Sequence, residues 1–365
     1  MKYDYLIVGA GLFGATLANR LTDYGKSVLV VEKKPYVGGM CYTEKKDGIT
    51  VHKFGAHIFR TNEDWIWKFV NHFAHFKPFI NSPLAYVDNQ MYNLPFNMNT
   101  FQQLWGVAQP KDAREQIMRD CVPYCNPQNL EEYALSKVGK TIYYKFIKDY
   151  TEKQWGKDCK DLPASILGRL ALRFTYDNNY YSGKQYQGIP EEGYTEFIKQ
   201  LLSCADVWTN VGDNWRRFED SANTIIYTGS IDEFYSYKYG ELEYRSLKFD
   251  EYELDEESIY GNAVINFPEK LVPYTRQIEH KFFLDERSDN TIISIETPCK
   301  YDGTNERYYP VITDSNIKLA NKYFNIDCDL KNRPIFAGRL GSYQYTDMEQ
   351  TIVNAFRLAR RLVRE

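Results

Sequence analysis

The sequence is poor in everything that staples or anchors a chain. Seven cysteines stand at 41, 121, 125, 159, 204, 299 and 328, none in a Cys-x-x-Cys pair, and there are only five histidines. An odd, scattered set of thiols argues against a disulfide framework and for a reducing, cytoplasmic setting, and without paired thiols or more imidazoles no metal is expected. No apolar run approaches the length of a bilayer span, so membrane insertion is not expected. The N-terminal apolar run is interrupted by three glycines and has no basic cluster ahead of it, which argues against a secretory leader. An excess of charge of one sign is missing too. With 45 lysines and arginines, interspersed among 49 acids, the net charge is −4 and nucleic acid is not an expected partner. An anionic ligand must then be held by a few placed arginines rather than by the overall field.

What is present begins with size. A chain of 365 residues with 43% apolar content can bury more than one core, so two or three subdomains are expected. The 31 tyrosines are far above an ordinary share, and each joins a flat apolar body to a hydroxyl that can reach phosphate or sugar oxygens.

Residues 3–43 organise the rest. The short apolar run Tyr5-Leu6-Ile7-Val8 leads into Gly9-Ala10-Gly11-Leu12-Phe13-Gly14; residues 15–21 have helical apolar spacing, and residues 28–31 form a second apolar run ending at Glu32. This is a strand, a helix and a strand with an acid at the tip. Gly9 permits the tight turn, Gly11 lets a pyrophosphate approach the backbone, and Gly14 lets the helix pack close, so that its N-terminal amides face the phosphates. Glu32 stands where a carboxylate can accept hydrogen bonds from a ribose. The glycine pair Gly38-Gly39, shortly past that acid, resembles the extension found in flavoproteins that bind FAD rather than NAD.

Farther on, residues 49–60 read as a strand entering a glycine bend with His57 beyond it, and residues 62–76 as a helix. Residues 84–87 and 91–94 flank Asp88-Asn89-Gln90 as a hairpin. Residues 97–150 are helical in pieces broken at Pro110, Pro123, Pro127 and Gly139, with a last helix over 141–150. Residues 193–204 read as a helix and 224–229 as a strand returning to the first sheet. Residues 244–254, 263–267, 274–284 and 291–297 alternate as an antiparallel sheet, and 347–363 form an amphipathic helix with Asp347 in its first turn.

The fold class is therefore α/β, a Rossmann-like FAD-binding fold with an inserted helical subdomain and an antiparallel β-sheet subdomain. The expected division is 1–80 for the first part of the FAD-binding domain, 81–96 for a hairpin of the sheet subdomain, 97–165 for the helical subdomain with a mobile loop following, and 166–190 for the substrate loop and sheet. The second part of the FAD-binding domain is 191–242, the antiparallel sheet 243–312, and the third part of the FAD-binding domain 313–365.

Several further segments carry a resemblance. These are Tyr150-Thr151-Glu152-Lys153-Gln154-Trp155, Asp177-Asn178-Asn179-Tyr180, Gln187-Gly188-Ile189-Pro190, residues 262–266, Arg276 with Glu279-His280-Lys281, Tyr308-Tyr309-Pro310, and residues 338–348. In order and spacing they closely resemble bacterial UDP-galactopyranose mutase across nearly the whole chain. That family interconverts the six-membered and five-membered ring forms of UDP-galactose without net oxidation, yet needs reduced FAD. The resemblance implies attack by flavin N5 on the anomeric carbon and a covalent flavin–sugar adduct. It also implies cell-surface polysaccharide biosynthesis and a homodimer.

By the same resemblance, Arg169 and Arg276 clamp the departing diphosphate, and with His57 they are the catalytic candidates. Planar, permanently charged donors suit a group that gains negative charge as its bond breaks. Tyr180, Tyr309 and Tyr345 add hydroxyls to the phosphates. Phe146 and Tyr150 hold the uridine, Trp155 packs near the sugar, Thr151 is a further substrate-binding residue, and Asn81 and Asn266 are further polar contacts. The flavin contacts implied are Gly9, Gly11, Phe13, Gly14, Glu32, Lys33, Gly39, His57, Gly338, Arg339, Tyr345, Asp347 and Met348. Two positions depart from the family pattern. Arg60 stands where a second histidine is usual, which raises tolerance for a 2-acetamido sugar such as UDP-N-acetylgalactosamine, and Met40-Cys41 replaces the usual asparagine after the glycine pair. An amine-oxidase-type FAD oxidoreductase shares the N-terminal pattern but leaves the arginine and tyrosine set without a purpose. A GTPase-escort protein on this fold predicts degraded glycines, and all three are intact.

Overall fold

A computed structural model describes residues 2–167, 172–326 and 334–364. Its chain divides into two compact units, one of Met1–Pro78, Gln185–Arg245 and Glu306–Glu365, the other of Phe79–Lys184 and Ser246–Asn305.

The first unit is built on a parallel five-stranded sheet in the order Asp206–Trp208, Val28–Val31, Tyr3–Val8, Ala222–Tyr227, Ile335–Phe336. Val28–Val31 is buried at all four positions, as a strand covered on both faces must be. The connecting helix Leu12–Asp23 packs against the helix Met348–Arg364, so widely separated stretches of the chain close one layer over this sheet. The strand expected from 224–229 does return here, pairing Leu6 with Ile225 and Val8 with Tyr227. An antiparallel trio, Phe59–Thr61, Tyr186–Pro190 and Phe76–Pro78, completes the unit with a hairpin of Thr43–Lys46 and Ile49–His52.

In the second unit the sheet runs Tyr244–Leu254, Thr291–Lys300, Arg276–Glu279, Val264–Asn266, Leu84–Val87, Gln90–Asn93. The hairpin turn at Asp88 and Asn89 has φ of 49° and 59°, the left-handed pair that a two-residue turn matching strand twist requires. One pairing departs from the antiparallel expectation. Val264–Asn266 runs parallel to Leu84–Val87, with Asn266 opposite Ala85, because the long intervening chain leaves the direction free. The strand expected through 284 stops at Glu279. His280–Phe283 is a 3-10 turn whose Lys281 ammonium is taken by the carbonyls of Glu257 and Ser288.

The helical pieces, Met98–Trp105, Pro110–Asp120, Leu130–Ile142 and Lys148–Trp155, lie in the same unit as this sheet. Asn97 caps the first in a reciprocal box with Thr100, and Pro110 occupies the first turn of the second, where its missing N–H costs nothing. No straight helix covers 141–150. Tyr143–Ile147 is a π turn, and the chain resumes regular helix only at Lys148.

The tightest approach in the first unit is at Gly14, where an added Cβ would lie 2.0 Å from the Gly9 carbonyl oxygen. Gly14→Ala is expected to cost about 1–3 kcal/mol of stability, because backbone cannot yield as a flexible side chain would. A thermal melt unchanged from that of the parent would refute this.

Candidate active site

The first constellation lies at the carboxyl end of the strand Tyr3–Val8. Gly9 has φ 111°, a conformation that side chains avoid, and Gly11 starts the helix Leu12–Asp23 with no side-chain cap and no acid in the first turn. The first amides of that helix are thus left for an anion. The glycine pair folds back onto this turn. Gly38 N–H donates to the Ala10 carbonyl at 3.0 Å, Gly38 bridges to Gly11, and a Cβ on Gly39 would stand 3.0 Å from the Gly11 Cα. Two glycine-only backbones pressed together keep the cradle free of side chains.

Glu32 is buried, and both its oxygens are oriented by backbone. Oε2 accepts from Ala10 N at 2.8 Å and Oε1 from Lys34 N at 3.0 Å, which leaves each oxygen lone pairs for ribose hydroxyls. Lys33 projects outward, its carbonyl accepting from Gly212 N at 3.2 Å, while Lys34 turns in to pair with Glu306 at 2.5 Å. Lys34 was overlooked in the sequence because nothing there brings Glu306 to it. Cys41 is buried, and desolvation pushes its thiol up to about 12 against the opposing pull of Arg339, so it serves as an apolar contact and not a nucleophile.

The strand Ile335–Phe336 delivers the remaining flavin candidates. Gly338, φ 74°, is the position whose added Cβ would stand 3.6 Å from the Phe13 ring. Arg339 donates to the carbonyls of Tyr308 at 3.2 Å and Thr346 at 2.8 Å, and its guanidinium lies 5.0 Å from the Tyr345 ring centre. It therefore ties the short strand Tyr309–Pro310 to the segment carrying Tyr345, and the rings of Tyr309 and Tyr345 are 5.8 Å apart. Asp347 precedes the helix Met348–Arg364 instead of lying in its first turn. Its Oδ1 accepts from Gln350 N at 2.9 Å, and its Oδ2 is 3.7 Å from Arg60. His57 Nδ1 donates to the Gly55 carbonyl at 2.8 Å, which fixes the ring.

The second constellation is a row across the sheet of the second unit. Asn266 pairs with Arg276, and Arg276 pairs with Glu296, so the three side chains leave the sheet on one face. Arg276 Nη2 lies 3.3 Å from the fully interior Glu296 Oε1 and 3.4 Å from the Tyr150 hydroxyl, to which it donates. Burial raises the Glu296 pKa above its ordinary range while the Arg276 charge opposes the rise. Asn266 Oδ1 is buried without a hydrogen-bond partner among the described residues, an acceptor left for a ligand donor. Glu296 went unnoticed in the sequence. Its one available signal was an acid within a strand that also carries three isoleucines.

Around this row the positions differ in kind. Thr151 is buried beside Tyr150 on one helix. Tyr180 is exposed, and its segment is held by its N–H donating to the Asn81 carbonyl at 2.8 Å and by the Asn97 amide donating to Asn178 Oδ1 at 2.7 Å. Phe146 sits in the apolar core, 5.1 Å from Tyr92 and 5.2 Å from Phe96, and Trp155 packs partly buried against the same core, so both brace the wall that carries Tyr150. Arg169 and the loop expected around it lie outside the described residues.

Sequence spacing gave no sign of Lys153. Its ammonium reaches four carbonyls, Phe267 at 2.6 Å and Glu269, Val272 and Tyr274 at 2.9 Å each. Burial lowers its pKa to about 8, opposed by Asp149 and Glu269, so the group remains charged at neutral pH. This pins the link between the strands of Asn266 and Arg276 to the helix of Tyr150.

Residues 145–345 match the family model of UDP-galactopyranose mutase, and residues 7–73 that of an NAD(P)-binding Rossmann-like domain. A probable UDP-galactopyranose mutase of Klebsiella pneumoniae is 36% identical over 98% of this chain and 94% of its own. A dTDP-fucopyranose mutase of Escherichia coli is 36% identical over 97% of each, and a UDP-galactopyranose mutase of Mycoplasma genitalium is 30% identical over 99% and 95%. A crystal structure of reduced UDP-galactopyranose mutase matches with a TM-score of 0.75 at 14% identity, over 100% of this chain and 94% of that one. Putrescine oxidase bound to putrescine shares the fold at a TM-score of 0.58, 12% identity and full coverage of both chains. Fold and cradle together define an FAD-binding flavoenzyme. The chain belongs to the UDP-galactopyranose mutase family, isomerases whose activity depends on flavin.

Lys153→Met leaves four carbonyls without their donor, which is expected to cost about 2–4 kcal/mol. Because the pinned link joins the strands of Asn266 and Arg276, nucleotide-sugar affinity should fall at least tenfold with flavin content retained. Calorimetric titration with UDP checks this, and parent-like affinity would rule out the coupling.

Proposed function

We propose that this enzyme interconverts UDP-galactopyranose and UDP-galactofuranose, and that the row Asn266, Arg276, Glu296 with Tyr150 grips the nucleotide diphosphate. The observation that carries this reading is a guanidinium set between a buried carboxylate and a tyrosine hydroxyl, on a sheet face that also offers an unsatisfied buried amide oxygen. Reduced FAD supplies an electron-rich centre for the anomeric carbon, which is why a reaction without net electron transfer needs the reduced form. The protein's own part is electrostatic. Arg276 meets the charge that grows on a departing diphosphate, with Arg169 as its expected partner. Glu296 fixes the plane and position of the Arg276 guanidinium, and Tyr150 adds a hydroxyl beside it. Tyr180, Tyr309 and Tyr345 are further phosphate donors, Asn81, Thr151 and Trp155 complete the base and sugar contacts, and Phe146 backs them from the core.

On the cofactor side, Gly9, Gly11, Phe13, Gly14, Glu32, Lys33 and Gly39 hold the adenosine and pyrophosphate. His57, Gly338, Arg339, Asp347 and the amide of Met348 meet the isoalloxazine and ribityl chain. Placement in a reducing cytoplasm and assembly as a homodimer belong to the same proposal.

A second reading concerns the substrate alone. The dTDP-fucopyranose mutase is as similar to this chain as the Klebsiella protein is, which favours testing a thymidine-linked 6-deoxy sugar beside UDP-galactose. The purified protein should be yellow and should isomerise UDP-galactofuranose only after reduction by dithionite. Turnover at full rate with the flavin oxidised would overturn the chemistry, whereas turnover of dTDP-fucose in preference to UDP-galactose would reassign the substrate.

Arg60 lies on the strand Phe59–Thr61 opposite Gln187, its guanidinium directed toward Asp347. A longer donor than histidine at this position extends the substrate range to UDP-N-acetylgalactosamine. Arg60→His should lower the turnover of the acetamido sugar relative to UDP-galactose by about tenfold, the loss of one charged hydrogen bond. An unchanged preference would remove the idea.

A further inference from the structure

The helix Met348–Arg364 buries Ile352, Ala355, Leu358 and Ala359 inside its own unit, and its outer face changes character along its length. The last two turns expose Arg357, Arg360, Arg361 and Arg364, and these four side chains line a recess of about 340 Å³ by themselves. Among the described residues none of the four forms an ion pair or a side-chain hydrogen bond. Asp23 on the helix beneath is already held by Arg20 at 2.6 Å. In a chain of net charge −4, four like charges concentrated on one helix face are an exception that the fold does not need. A favourable helix dipole accounts for one or two basic residues in a last turn, not for a recess lined only by guanidiniums.

A second observation adjoins the first. Phe356, next to Arg357 on the helix, packs edge to face with Trp65 at 5.1 Å and Phe69 at 4.9 Å, and Trp65 remains 43% exposed. Exposed tryptophan beside clustered arginine is the side-chain pair that settles at a bilayer interface, the indole at headgroup level and the cations on phosphates.

We propose that this patch docks the enzyme on an anionic lipid surface. The arginines engage several phosphodiester headgroups together, and Trp65 lies among them. A bilayer suits the patch better than an acidic peptide does, because the recess presents charge density without the varied donors and shape that a fixed partner requires. Adsorption is peripheral, since no helix among the described residues is long and apolar enough to cross a membrane. Only Arg and Trp on the outer face of unit one take part, and the residues assigned to flavin and nucleotide do not.

The test is co-sedimentation of the flavin-loaded full chain with vesicles of phosphatidylcholine containing about a third phosphatidylglycerol, at low and high salt. The expected result is binding to these vesicles, none to pure phosphatidylcholine, and release at high salt. Each arginine contributes about fivefold, so the variant with Arg357, Arg360, Arg361 and Arg364 all changed to glutamine should bind at least about a hundredfold more weakly. Its flavin content and turnover should equal the parent's, which separates the loss from misfolding. Trp65→Ala should weaken binding without changing its salt dependence. Failure of the parent to bind, equal binding by the quadruple variant, or binding of polyglutamate in place of vesicles would each overturn the proposal.

Discussion

Backbone meets backbone where the turn after the first strand touches the turn after the second. Gly11 and Gly38 pair there, and Gly39 stands against Gly11 with no room for another carbon. The contact fixes the distance between the amides at the start of the helix Leu12–Asp23 and the carboxylate of Glu32, the two groups proposed to hold the ends of one adenosine diphosphate moiety. It also explains why glycines recur at both turns. A Cβ at Gly39 would stand 3.0 Å from the Gly11 Cα and strain the contact between the turns.

The second unit solves a harder electrostatic problem. A guanidinium with the proposed task of attracting a diphosphate cannot be fully neutralised by its own neighbours, yet a lone cation on a partly covered sheet face is costly to hold. Glu296 and Tyr150 share Arg276 at 3.3 and 3.4 Å, both longer than an ideal charge-assisted bond. Burial raises the cost of the carboxylate's charge, which the arginine opposes. This leaves the arginine oriented and still attractive to an anion.

Much of this was legible beforehand where the signal is local. Apolar runs of strand length around a glycine turn announced the β-α-β unit, Glu32 followed from its place at the strand tip, and Asp88-Asn89 declared the hairpin. The motifs around Tyr150, Arg276 and residues 338–348 carried the family. What escaped depends on residues that meet only in space. Glu296 reads as an ordinary strand acid until its register puts it beside Arg276, and Lys153 reads as a surface lysine until the link of 267–274 closes over it. The π turn at Tyr143–Ile147 has no periodic signature, since one extra residue per turn disturbs a helical pattern without replacing it. The parallel pairing of Val264–Asn266 with Leu84–Val87 is invisible for the same reason, because no short connection dictates it.

The first unit is written in three instalments along the chain, with the second unit spliced between them. During synthesis the edge strand Ile335–Phe336 and the helix Met348–Arg364 emerge on the order of 16–65 s after the first strand, Tyr3–Val8, at roughly 5–20 residues per second. Throughout that interval the outer surface of Leu12–Asp23 and one margin of the parallel sheet are open on the ribosome. The nascent nucleotide-binding half therefore waits for its last instalment with apolar surface uncovered, while most of the helical core of the spliced unit has emerged by Leu162.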